Sequence, residues 1–60
     1  MDKKQLKELV NKLRRPIHIS YISQYILKKS EEETKQQLDI LISEGLIKES
    51  DLASGYYVIA

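Results

Sequence analysis

The chain has 60 residues, 42% of them hydrophobic and 32% charged, with a formal net charge of +1 and no cysteine. That length means one small domain with a thin core, because a chain of this size buries only about 60% of the surface its unfolded form exposes. Disulfides, cysteine-based zinc sites and thiol nucleophiles are excluded, and the single histidine, His18, offers no material for a histidine metal site. No apolar run approaches the roughly 20 residues of a bilayer span. Met1-Asp2-Lys3-Lys4-Gln5 lacks the apolar core of a signal peptide. The expectation is a soluble, cytoplasmic protein with no metal or other cofactor.

The first segment reads as a helix. Asp2 is a candidate N-cap with Gln5 in capping-box position, and Leu6, Leu9, Val10 and Leu13 form one apolar stripe at helical spacing. Arg14 and Arg15 suit the negative end of its dipole. Pro16 ends it, because the residue before a proline is driven out of the helical region. Ile17-His18-Ile19 then alternates and fits a brief strand with both isoleucines inward and His18 on the surface. Ser20 is a candidate N-cap for a second helix from Tyr21 to about Lys28, with Ile22, Tyr25 and Ile26 on one face.

The third helix has the clearest start. Ser30 and Glu33 form a capping box, and Glu31, Glu32 and Glu33 all fall where the helix dipole favours carboxylates. Thr34, Leu38, Leu41 and Ile42 make its inward stripe, and Gly45 is placed for a left-handed C-cap. Leu46–Glu49 and Tyr56–Ile59 read as two strands of a hairpin joined through the turn-rich six-residue segment 50–55. Ile17–Ile19 supplies a candidate third strand, since a two-stranded hairpin alone is marginal. Tyr56 and Tyr57 must point to opposite sides of their strand, one to the core and one outward.

Ser30-Glu31-Glu32-Glu33-Thr34-Lys35-Gln36-Gln37-Leu38-Asp39-Ile40-Leu41-Ile42-Ser43-Glu44-Gly45-Leu46-Ile47 resembles the third helix and first wing strand of the winged helix-turn-helix family. Pro-Ile-His-Ile-Ser-Tyr-Ile-Ser-Gln-Tyr-Ile before it is similar to that family's short first strand and second helix. The resemblance spans about residues 3–59. It implies an α+β fold, a three-helix bundle with a small antiparallel sheet in the order α-β-α-α-β-β, as a single domain over residues 1–60. It also implies a role for most members in duplex DNA binding, with the third helix in the major groove, and for a minority in protein interaction.

The charges qualify that role. Residues 1–29 hold eight basic residues against Asp2 and Glu8, a net +6, whereas residues 30–60 hold two basic residues against seven acidic ones, a net −5. Such asymmetry concerns partners rather than fold. A helix that reads a groove carries Arg, Lys, Asn or Gln toward bases and phosphates. Here the outward face of the third helix offers Glu32, Glu33 and Asp39, with only Lys35 and Gln36 suited to a duplex. The wing loop holds Asp51 and no basic residue.

Candidate nucleic-acid contacts are therefore Arg14, Arg15, Lys28 and Lys29 at element ends, joined by Lys35 and Gln36, with DNA, duplex or single-stranded, held through its phosphates. Tyr21 and Tyr25 are expected in the core or at its rim, with stacking on unpaired bases as the functional alternative. The lysines of the first helix read first as a solvated face, and the glutamate run as dipole capping. Ile40, Leu52 and Tyr57 are the candidate surface for a larger protein partner, although single exposed apolar residues are common.

Catalysis fits poorly, with no nucleophile–base pair and no glycine-rich phosphate loop. Two roles remain: a small nucleic-acid-binding protein, as regulator or as replication or recombination accessory factor, and a protein-interaction adaptor. Monomer and homodimer are both compatible with so small a core.

Overall fold

The computed structural model describes residues 2–60. In chain order they form α1 (Lys3–Lys12), β1 (Ile17–His18), α2 (Ile19–Tyr21) running directly into a π-helical stretch (Ile22–Leu27), α3 (Glu31–Ser43), β2 (Ile47–Glu49) and β3 (Tyr56–Ile59). The fold is α+β, with three helical segments and a three-stranded antiparallel sheet in the order β1-β3-β2.

The helix ends follow the local chemistry of the sequence. The Asp2 carboxylate caps α1 by accepting from the Gln5 backbone N–H at 2.7 Å. Leu13 is already the C-cap, so α1 ends earlier than Pro16 alone requires. The Ser30 hydroxyl caps α3 by accepting from the Glu33 N–H at 3.2 Å. Ser30 Oγ also lies 3.4 Å from Glu33 Oε1. At the other end of α3, Gly45 takes φ +78°. Its N–H donates to Ile42 O at 2.9 Å while Leu46 N–H donates to Leu41 O at 3.1 Å, which satisfies two carbonyls that the helix leaves free.

The second helix departs from expectation. Its N-cap is His18, whose Nδ1 accepts from the Ser20 backbone N–H at 3.1 Å. Ser20 therefore lies inside the first turn, Ile19 opens the helix, and the strand keeps only Ile17 and His18. From Ile22 the winding widens to i→i+5 bonding, with Lys28 N–H returning to Ser23 O. A wider turn takes more residues per revolution than an α-helix. It buries Ile22, Ser23, Ile26 and Leu27 and turns Tyr25 outward to 60% exposure, so the expected face of Ile22, Tyr25 and Ile26 does not form. The buried Ser23 hydroxyl is satisfied by Ser20 O at 3.0 Å.

The π-helical stretch packs against both α1 and α3, and the core is built around it. Leu9, Leu13, Ile22, Ile26, Leu27, Leu38, Leu41, Ile47 and Tyr57 are buried, with Leu6, Ile17, Ile19, Ile42 and Ile59 packed against them. Each such aliphatic side chain contributes on the order of 1.5–3 kcal/mol when fully buried. The sheet closes one side of this core through β3, whose Tyr57 lies between Ile17 of β1 and Glu49 of β2. Beyond the ladder, Ile59 N–H donates to Leu13 O and Ala60 N–H to Leu46 O, tying the sheet to the ends of α1 and α3.

Thr34 is fully buried on α3, and its Oγ1 has no hydrogen-bond partner. An unsatisfied buried hydroxyl costs about 1–3 kcal/mol. Thr34→Val, which removes the hydroxyl at nearly constant shape, is therefore expected to raise the urea midpoint; a drop in midpoint would show that the hydroxyl is solvated or bonded in solution. Gly55 gives the opposite expectation. It sits at φ +83°, and an added Cβ would lie 3.0 Å from His18 Nε2. Gly55→Ala should cost at least about 1–2 kcal/mol from the left-handed backbone alone, measured by the same denaturation; an unchanged midpoint would contradict the geometry.

Candidate nucleic-acid interface

The expected contact residues are distributed over three places. Arg14 and Arg15 lie exposed in the turn between α1 and β1, and Lys28 and Lys29 lie exposed in the turn between the second helix and α3. Lys28 occupies the left-handed region at φ 56°, ψ 48°, a conformation that costs an L-residue other than glycine roughly 1–2 kcal/mol. No signal for that bend was legible, because left-handed helix ends are usually marked by Gly or Asn. Lys35 and Gln36 are exposed on α3.

The α3 face is poorly suited to a polyanion. Glu31, Glu32 and Glu33 all lie in its first turn. Lys35 Nζ stands 3.6 Å from Asp39 Oδ1, with both side chains more than half exposed. A helix pair of this kind is worth only about 0.3–0.5 kcal/mol, yet it leaves a carboxylate beside the best phosphate contact on that face. The hairpin loop adds another acid. Glu49 Oε2 accepts from Gly55 N–H at 2.9 Å, and Ser50 N–H donates to Tyr56 O at 2.7 Å. Glu49 therefore closes the loop, a role its strand position alone did not indicate.

The second helix presents a different surface. Tyr21 and Tyr25 stand one helical turn apart with ring centroids 4.9 Å apart and planes inclined at 40°. They are 43% and 60% exposed, so neither belongs to the core. Tyr21 sits at the rim, whereas Tyr25 is turned outward by the widened helix, which buries Ser23 and Leu27 instead. Lys28 and Lys29 follow in the next three to four positions, giving an exposed aromatic pair next to two cations with no partner among the described residues.

The expected partner patch does not assemble as proposed. Tyr57 is buried at 4% exposure because its register turns it into the core; Tyr56 is the outward tyrosine. Tyr56 packs edge-on against His18 across the strand pair, with centroids 5.0 Å apart at 73°. His18 is accordingly half-buried rather than free on the surface. Ile40 on α3 and Leu52 in the hairpin loop are exposed.

No group of three or more His, Cys, Asp or Glu among the described residues is placed to hold a metal ion. No helix among them is long and apolar enough to cross a membrane. No protein-family model matches the chain, and no match was found among curated proteins or solved structures.

Proposed function

We propose that the chain is a winged-helix domain that binds single-stranded nucleic acid through its second helix. The order α-β-α-α-β-β, with three residues between the second helix and α3 and a closing hairpin, supports the winged-helix reading. The observation that carries the functional reading is the exposed Tyr21–Tyr25 pair followed by Lys28 and Lys29. Unpaired bases stack on aromatic faces with little regard for sequence, while nearby cations hold the phosphates. Duplex reading by α3 is disfavoured by its carboxylates and by the Lys35–Asp39 pair. Arg14 and Arg15 extend the positive charge available to a longer strand.

The strained backbone of Lys28 is consistent with this role. A glycine would occupy that position more comfortably, but it would remove a cation from the end of the aromatic pair. Chemistry of this type needs no cofactor and no catalytic group. It fits an accessory factor in replication or recombination better than a sequence-reading regulator.

The test is a fluorescence-anisotropy titration with labelled oligo-dT and with a duplex of the same length, over a range of salt concentrations. Oligo-dT is expected to bind more tightly than duplex and to weaken as salt rises, since phosphate contacts release counterions. Tyr25→Ala should cost about 1–3 kcal/mol of that affinity, and Lys35→Ala little. Lys28→Gly should weaken binding while raising stability by about 0.5–1 kcal/mol, as the left-handed strain is relieved. No binding at low salt, or a duplex preference with Lys35→Ala as the most damaging change, would overturn the proposal.

A further inference from the structure

Away from the tyrosine pair, a groove of about 510 Å³ runs between α1 and the end of β3. Its apolar lining comes from Leu6, Val10 and Ile59, and its charged lining from Lys3, Lys7 and Arg14. No carboxylate lines it. None of the three cations forms an ion pair among the described residues. Lys3 and Lys7 lie four residues apart on one side of α1, and Arg14 lies in the turn just beyond its end. Leu6 and Val10 belong to the same apolar stripe of α1 as the buried Leu9 and Leu13, and Leu6 and Ile59 are packed against the core. The groove is thus the partly exposed margin of that stripe, flanked by cations.

We propose that this groove is a docking site for an acidic amphipathic helix of a partner protein. Apolar side chains of that helix would pack on Leu6, Val10 and Ile59, and its carboxylates would meet Lys3, Lys7 and Arg14. The volume falls within the roughly 300–1,000 Å³ of sites that take a discrete ligand, and a helix in an apolar groove is an established mode of recognition. Charge complementarity selects the sign of the partner. It also steers association and rejects basic competitors.

Other occupants fit less well. A nucleic-acid strand would bring phosphates to the cations but would find no aromatic ring among the groove's lining residues on which to stack a base. A lipid surface is met by a broad exposed apolar face, whereas Leu6, Val10 and Ile59 are each partly buried. A second copy of the chain offers α3 as its acidic helix, but α3 buries Leu38 and Leu41 in its own core and shows only Ile40 outward. The proposal does not rest on the strand-binding reading, because the groove lies on α1 and β3 and shares only Arg14 with the proposed strand contacts.

The experiment titrates a 15-residue helical peptide, with leucines at helical spacing flanked by glutamates, into ¹⁵N-labelled protein and follows amide shifts. Its control has the same leucines with every glutamate changed to lysine. The acidic peptide is expected to bind at micromolar concentration and to shift the amides of α1 and Ile59. The basic peptide should bind at least tenfold more weakly. Lys7→Glu, at an exposed position, should weaken the acidic peptide at least tenfold, as should Val10→Asp, with an unchanged circular-dichroism spectrum reporting that each variant is folded. Four results would overturn the proposal: no acidic-peptide binding at millimolar concentration, equal binding of both peptides, full affinity in Lys7→Glu, or shifts confined to α3 and the hairpin. Saturation by phosphatidylglycerol vesicles without acidic-peptide binding would reassign the groove to a lipid surface, and dimerisation that buries α1 would reassign it to a second copy.

Discussion

The structure depends on β3 being the middle strand of the sheet. Tyr57 pairs with Ile17 on one side and with Glu49 on the other, so the last few residues satisfy backbone groups of both halves of the chain. The same strand turns Tyr57 inward and binds the end of α1 through Leu13 O. A two-stranded hairpin would be marginal by itself. Placed between β1 and β2, and backed by three helical segments, it becomes the lid of the core. Local contacts build each helix, and this long-range pairing joins the shared core in holding the first helix and the hairpin in one body.

Within that body the second helix carries the conflict between packing and regular winding. Among the described residues nine side chains make the buried core, and the π-helical stretch brings two adjacent pairs inward, Ile22–Ser23 and Ile26–Leu27. The consequence appears on the outside. Tyr25 is displaced into solvent beside Tyr21, and the helix ends at a lysine in a left-handed conformation. Widened turns and strained residues of this kind often accompany function, and here both occur in the same segment as the aromatic pair.

Electrostatics divides the surface by element. The acidic residues are used partly for structure: Asp2 caps α1, the glutamate run lies at the positive end of α3, and Glu49 closes the hairpin loop. The cations have few such duties. Apart from Lys35 they form no ion pairs among the described residues, and they border two quite different surfaces, one aromatic and one aliphatic. The proposed adaptor and strand-binding roles therefore draw on largely separate residues, with Arg14 common to both sets.

The amino-acid sequence by itself determined the caps at Asp2 and Ser30, the left-handed turn at Gly45, the buried stripe of α3, the hairpin and the pairing of one tyrosine inward with one outward. Each is a short-range matter, decided by hydrogen bonds within a few residues or by the period of apolar positions. Tertiary structure alone decided the rest. It made His18 a cap and a partner for Tyr56, chose Tyr57 rather than Tyr56 for the core, widened the second helix, and opened the groove beside α1. These outcomes depend on which element lies across from which, and periodicity cannot report that. An i, i+4 pattern is shared by a buried face and a partner-binding face, and it assumes a regular turn that the π-helical stretch from Ile22 to Leu27 does not keep.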